Sequence, residues 1–168
     1  MVCPVGEVRG MAEIDNKVFI VFADSSNIEV CDALTFNQLS VITVQGLINP
    51  QDIVVCHHDR QLYVAEYYCI WRVSVDGHWN VKWLTLSSTD RFCINTLSLT
   101  SESLLVTSRV PPALRQYNTV DRQLLNIRLP QYVWYLYHAV ETTRGTFVVG
   151  HGGTLQNKYQ DVVSELFS

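Results

Sequence analysis

The sequence has no run of basic residues. Its 12 Lys and Arg are scattered among 16 Asp and Glu, giving a net charge of −4. A surface that grips nucleic acid normally needs a basic excess or stripe to neutralise phosphates, so RNA binding is disfavoured. The N-terminal "MVCPVGEVRGMAEIDN" lacks the basic stretch and apolar core of a secretory signal. Apolar stretches such as "VFIVFA" (residues 18–23) are far too short to cross a bilayer, and no membrane association is expected. The five cysteines (Cys3, Cys31, Cys56, Cys69 and Cys93) are odd in number and contain no CxxC pair. This argues against a disulfide framework and for reduced thiols in a cytoplasmic setting. The glycosylation sequon, the GxSxG elbow, GxGxxG and the Walker motif are absent as well. Finally, no segment carries a convincing 3.6-residue apolar period over ten or more residues, which argues against a helical fold. What remains is a chain of 168 residues, 48% hydrophobic and 17% charged, long enough for one domain with a real core.

The apolar residues recur with a long period. The strongest runs are "KVFIVF", "QLYVAE", "SLLVTS" and "TFVVGH", whose first apolar residues are Val18, Leu62, Leu104 and Phe147. The successive spacings are 44, 42 and 43 residues. Each run follows a shorter apolar segment across a polar turn: Asp15-Asn16, His57-His58-Asp59-Arg60, Ser101-Glu102 and Arg144-Gly145. In the first three repeats a third and a fourth alternating segment come after it, as in "CIWRVS" and "VKWLTL". The segments are short, alternate in polarity and are rich in Val, Ile, Leu, Tyr and Thr, so they read as strands. Four antiparallel strands in a repeat of this length make a β-propeller blade. One such sheet cannot bury both faces alone, and stacking sheets around an axis does so. The second strand, central in its blade, is expected to be apolar on both faces. The expected fold is all-β: a propeller of about four four-stranded antiparallel blades, spanning 1–168 as one domain. The blades fall at about 9–48, 49–92, 93–135 and 136–168. The tail "YQDVVSELFS" is placed as the third strand of the last blade, after a polar insertion over 150–159. That blade is then incomplete and the ring open or truncated, with self-association through open blade faces as a consequence.

One repeat is more specific. "INPQDIVVCHHDRQLYVAEYYCIWRVSVDG" resembles an NHL-type repeat through Pro50, Ile53, Val54, Val55, Leu62-Tyr63-Val64-Ala65, Ile70, Val73, Asp76 and Gly77. Glu66 stands where that family often has Asp, and Asp52 where it usually has Gly. The other repeats match by spacing and apolar pattern. The resemblance implies a five- or six-bladed propeller used for binding protein or RNA.

Candidate sites follow from this frame. Adjacent His57 and His58 would point to opposite sides of a strand and fall on a turn shared by all repeats, so they read as solvated turn residues. Cys56 and Cys69 lack two further ligands at zinc spacing. The first residues of the innermost strands, Arg9/Gly10, Gln51/Asp52, Asn95/Thr96 and His138, occupy equivalent positions near the axis. Six-bladed hydrolases and lactonases similar to this family hold a divalent ion such as Ca²⁺ there. Asp52, Asn95 and His138 are the chemically suitable ligands, although one carboxylate is few for such an ion. "PQYVWYLYH" (residues 130–138), read as the joint between third and fourth blades, holds Tyr132, Trp134, Tyr135 and Tyr137. It is the preferred surface for a protein partner. The leading expectation is a non-enzymatic scaffold with a protein partner and no cofactor. The alternatives are a fragment of a metal-dependent six-bladed hydrolase or lactonase, and an RNA-binding NHL-type module.

Overall fold

The structure, a computed structural model, describes residues 6–87, 91–100, 103–120, 122, 124–155 and 158–166, with side chains outside 153–162. The elements among them are strands: β1 (Val8–Ile14), β2 (Lys17–Phe22), β3 (Asn27–Asp32), β4 (Gln38–Thr43), β5 (Asp52–Cys56), β6 (Gln61–Ala65), β7 (Cys69–Ser74) and β8 (Asn80–Thr85). Then come β9 (Ile94–Leu99), β10 (Ser103–Ser108), β11 (Ala113–Asn118), β12 (Leu124–Ile127), β13 (Val133–Glu141), β14 (Phe147–Leu155) and β15 (Lys158–Leu166). They form antiparallel sheets in sequence order, β1 to β4, β5 to β8, β9 to β12 and β13 to β15. These are the blades of a β-propeller fold. No helix among the described residues is long and apolar enough to cross a membrane. The Ser101-Glu102 turn lies outside the described residues.

Local chemistry explains the joints. β1 and β2 are linked by only Asp15 and Asn16, at φ 53° and 59°. Two central residues with positive φ make a type I′ hairpin, whose twist matches that of the strands, and Asp and Asn tolerate that conformation. Gly77 turns β7 into β8 at φ 77°, while the Asp76 carboxylate accepts hydrogen bonds from the Ser74 hydroxyl (2.6 Å) and the His78 amide (3.0 Å).

The chain divides into two units, Met1–Thr85 and Leu86–Ser168. In the first, Phe19, Val21, Ile28 and Val30 pack against Ile53, Leu62, Val64, Trp71 and Val73 from the next blade. The residues alternate along each strand because successive side chains face opposite sides. On the other face of β6, Tyr63 meets Trp83 edge to face at 5.3 Å. Tyr63 and Trp83 are buried, so β6 is covered on both sides, as expected of a central strand; so is β10. β2 departs from that expectation: Val18 and Ile20 stay half-buried. In the second unit Leu105, Leu114, Leu136, Ala139, Phe147, Val149 and Leu166 form the core.

Two boundaries differ from the sequence reading. β13 starts at Val133, so most of the aromatic segment 130–138 is itself a strand and not a joint. The insertion read over 150–159 is overturned at Gly150–Leu155, which continue β14, and at Lys158, which already begins β15; residues 156–157 lie outside the described residues. The ladder is unbroken from Phe147↔Leu166 to Leu155↔Lys158. Pairing on both sides holds the glycines extended despite their low strand preference.

Candidate functional site

The first strands of three blades carry an irregularity near equivalent places, and β5 pairs without one. In β1 the register steps from Val8↔Phe22 to Gly10↔Val21, leaving Arg9 extra. In β9 it steps from Ile94↔Ser108 to Leu97↔Val106, so Asn95 and Thr96 both oppose Thr107. In β13 Tyr137 is extra, between Leu136↔His151 and His138↔Gly150. Ahead of β5 the Gln51 amide donates to the Ala65 carbonyl (2.7 Å), although Ala65 already faces Asp52. In three of the four blades the equivalent positions inferred from repeat spacing thus coincide with a bulge or sit beside one. A bulge re-aims side chains and bends its strand, and such features concentrate at rims and working sites.

The side chains at these positions are used differently. In the first unit a Cβ on Gly10 would lie 2.7 Å from Asp52 Oδ1 and 2.8 Å from the Ile53 amide nitrogen. Only glycine permits that approach of β1 to β5. The Asp52 carboxylate accepts from the Ile53 amide (2.8 Å). In the second unit Asn95 Nδ2 and the Thr96 hydroxyl both donate to the Tyr137 carbonyl, at 3.1 and 3.0 Å. Thr96 Oγ1 also lies 2.7 Å from Thr107 Oγ1 and 3.2 Å from His138 Nδ1. Asn95 and His138 are therefore linked through the Tyr137 carbonyl and Thr96, whereas Asp52 belongs to the first unit. Among the described residues no group of three or more His, Cys, Asp or Glu is placed to hold a metal ion.

Glu66, singled out in the sequence only as a replacement for Asp, accepts four hydrogen bonds. One oxygen accepts from the amides of Ile48 (2.8 Å) and Asn49 (3.2 Å), and the other from Trp71 Nε1 (2.7 Å) and the Cys69 thiol (3.0 Å). Burial pushes its pKa up, but the bonds from Cys69, Trp71, Ile48 and Asn49 outweigh that and hold it below the ordinary value. The Cys69 thiol moves the other way, to about 12, through burial first and then through its bond to Glu66. Glu66 thus ties the strand-linking segment at 48–49 to β7. A cavity of about 190 Å³ beside it is lined by Asn49, Glu66, Tyr67, Tyr68 and Cys69. His57 and His58 are exposed in their turn, as expected. A larger hollow of about 290 Å³ lies between that turn and the β7–β8 turn, lined by Asp59, Arg60, Gln61, Ser74, Asp76 and Trp79 among others.

In the second unit the four aromatic residues singled out in the sequence share one strand and its lead-in. Tyr132, Trp134 and Tyr135 are 51%, 46% and 39% exposed, and Tyr137 is half-buried. Tyr132 lies 5.7 Å from the ring of buried His151, which is 2.9 Å from the Ser164 hydroxyl through Nε2. Gly152, opposite Tyr135, makes room for the rings. A Cβ there would lie 3.2 Å from the Tyr137 hydroxyl and 3.3 Å from Tyr135 Cδ2. Arg109, at the turn after β10, places its guanidinium 5.7 Å from the Tyr135 ring centre and 5.4 Å from that of Tyr137. Sequence reasoning passed over Arg109 because a lone arginine carries no local signal; its neighbours here are 26 and 28 residues away.

No known family model and no curated protein matches the sequence. Solved structures do match in fold. Hydrazine synthase of Kuenenia stuttgartiensis is 13% identical over 94% of this chain and 50% of its own, with a TM-score of 0.74. A chain of a nidogen/laminin complex is 14% identical over 91% of this chain and 60% of its own, with a TM-score of 0.76. The WD40 repeats of RRP9 are 14% identical over 85% and 42%, with a TM-score of 0.68. The fold is that of the β-propellers. The chain spans about half to three-fifths of the length of the first two of these structures.

Proposed function

We propose that this chain is a propeller scaffold that binds another protein. The observation that carries the reading is the exposed aromatic surface of Tyr132, Trp134 and Tyr135. Large rings with polar tips supply much contact area at low entropic cost and are enriched at protein interfaces. A fold neighbour from a nidogen/laminin complex supports the same class of use. The finer kinship we propose is NHL-type. What supports it is the second blade, in which Leu62 and Val64 pack in the core, Ile70 is buried in β7, and Asp76-Gly77 make the turn.

The test is affinity capture with the immobilised full chain beside a Tyr132→Ser/Trp134→Ser variant whose melting matches the native chain. Proteins retained by the native chain and lost by the variant are the expected result. Identical capture by both would overturn the assignment of the surface.

A further inference from the structure

We infer that Arg109, held between Tyr135 and Tyr137, is a receptor for a side-chain carboxylate: an Asp or Glu flanked by apolar residues in an extended segment of a protein partner. The inference rests on the scaffold reading above and names the partner's chemistry. Arg109 is exposed, its guanidinium lies near the two rings, and among the described residues it pairs with no carboxylate. Both centroid distances fall within the range of a cation over an aromatic ring. The guanidinium carries five N–H donors in a planar fork that matches a carboxylate bidentately, and among the described residues no carboxylate pairs with it. The flanking rings also hold the guanidinium in place, so less side-chain freedom is lost when it binds. Gly152 keeps the rings where they are, since any Cβ would press on both. Exposed Val110, next to Arg109 in sequence, Trp134 on the tyrosines' strand and Tyr132 just before it offer apolar surface to residues flanking the acid.

Charge selects a protein acid over a nucleic-acid backbone. The second unit has seven basic and six acidic residues. A phosphate backbone needs several cations in a row, whereas one carboxylate needs one.

The experiment is NMR titration of the full chain, following the Arg109 Nε–H and Trp134 indole N–H signals. The probes are capped peptides Gly-Ser-Phe-Glu-Phe-Ser-Gly and its Gln counterpart, and a uridine decanucleotide. The expected result is saturable shifts of both signals with the Glu peptide. Binding should be about fivefold or more weaker for the Gln peptide, or for Arg109→Gln, whose fold is checked by its melting curve. If Glu and Gln peptides move Trp134 equally while Arg109 stays still, the surface binds protein but the acid preference is overturned. If neither peptide moves either signal, the proposal falls, and the capture experiment above decides separately whether the scaffold reading survives. Preference of Arg109 for the oligonucleotide would overturn the proposal in favour of RNA.

Discussion

In the first unit the inner strands β1 and β5 meet through backbone, with Gly10 set against Asp52 and the Ile53 amide. In the second, β9 and β13 meet through side chains, with Asn95 and Thr96 donating to the Tyr137 carbonyl and Ser98 to that of Ala139. The charges differ too. The first unit has five basic and ten acidic residues, and Arg60 pairs with Asp15 and Arg9 with Glu7. The second is nearly balanced, and Arg109 rests on tyrosine rings. The apolar repeat that builds a blade is common to both units, but the seam between blades is particular to each. A seam needs only close approach with its polar groups satisfied, and either a missing side chain or a donating one achieves that.

Gly10→Ala attacks the backbone seam and should have the largest effect. Its methyl cannot lie 2.8 Å from a backbone nitrogen, so β1 or β5 must move. The expected loss is about 1–3 kcal/mol in urea unfolding, in line with overpacking elsewhere. Unchanged stability would mean that the strands separate freely, and the contrast between the seams would disappear.

Glu66→Gln comes next. Its NH2 would replace one oxygen and face a pair of donors, either the Ile48 and Asn49 amides or Trp71 and Cys69, at a cost of about 1–2 kcal/mol at neutral pH. The folded-state pKa of Glu66 is lowered, so its contribution is complete above the ordinary glutamate value. It is lost as pH falls through the lowered one. The urea midpoints of native chain and variant should therefore converge on the acid side of that range. A gap that stays constant into strong acid would show that the charge of Glu66 is irrelevant.

Thr96→Val keeps the shape of the polar seam and removes its hydroxyl. Asn95 still serves the Tyr137 carbonyl, so the loss should be only about 1 kcal/mol. A loss larger than that of Gly10→Ala would reverse the order of the two seams.

Much of the architecture was legible in order of sequence. The period of the apolar runs placed the blades, and Asp15-Asn16 marked a turn. In three of the four blades the equivalent inner positions inferred from spacing coincided with a bulge or sat beside one. The misplacement at 150–159 has a clear cause. "GHGG" has poor strand propensity, and only pairing with both β13 and β15 keeps it extended. Glu66 was visible as a departure from a family residue, but nothing local says that it reaches back to amides 17 and 18 residues earlier.

The sequence by itself determined most of the strands, their apolar alternation and where most turns fall. Those properties depend on alternation and on preferences expressed within a few residues. Tertiary structure decided that Gly10 admits Asp52, that Glu66 ties a linking segment to β7, and that Arg109 lies between two tyrosines. Each of these joins residues about twenty to forty positions apart, and the period of the chain carries no signal for which side chains will meet across that distance.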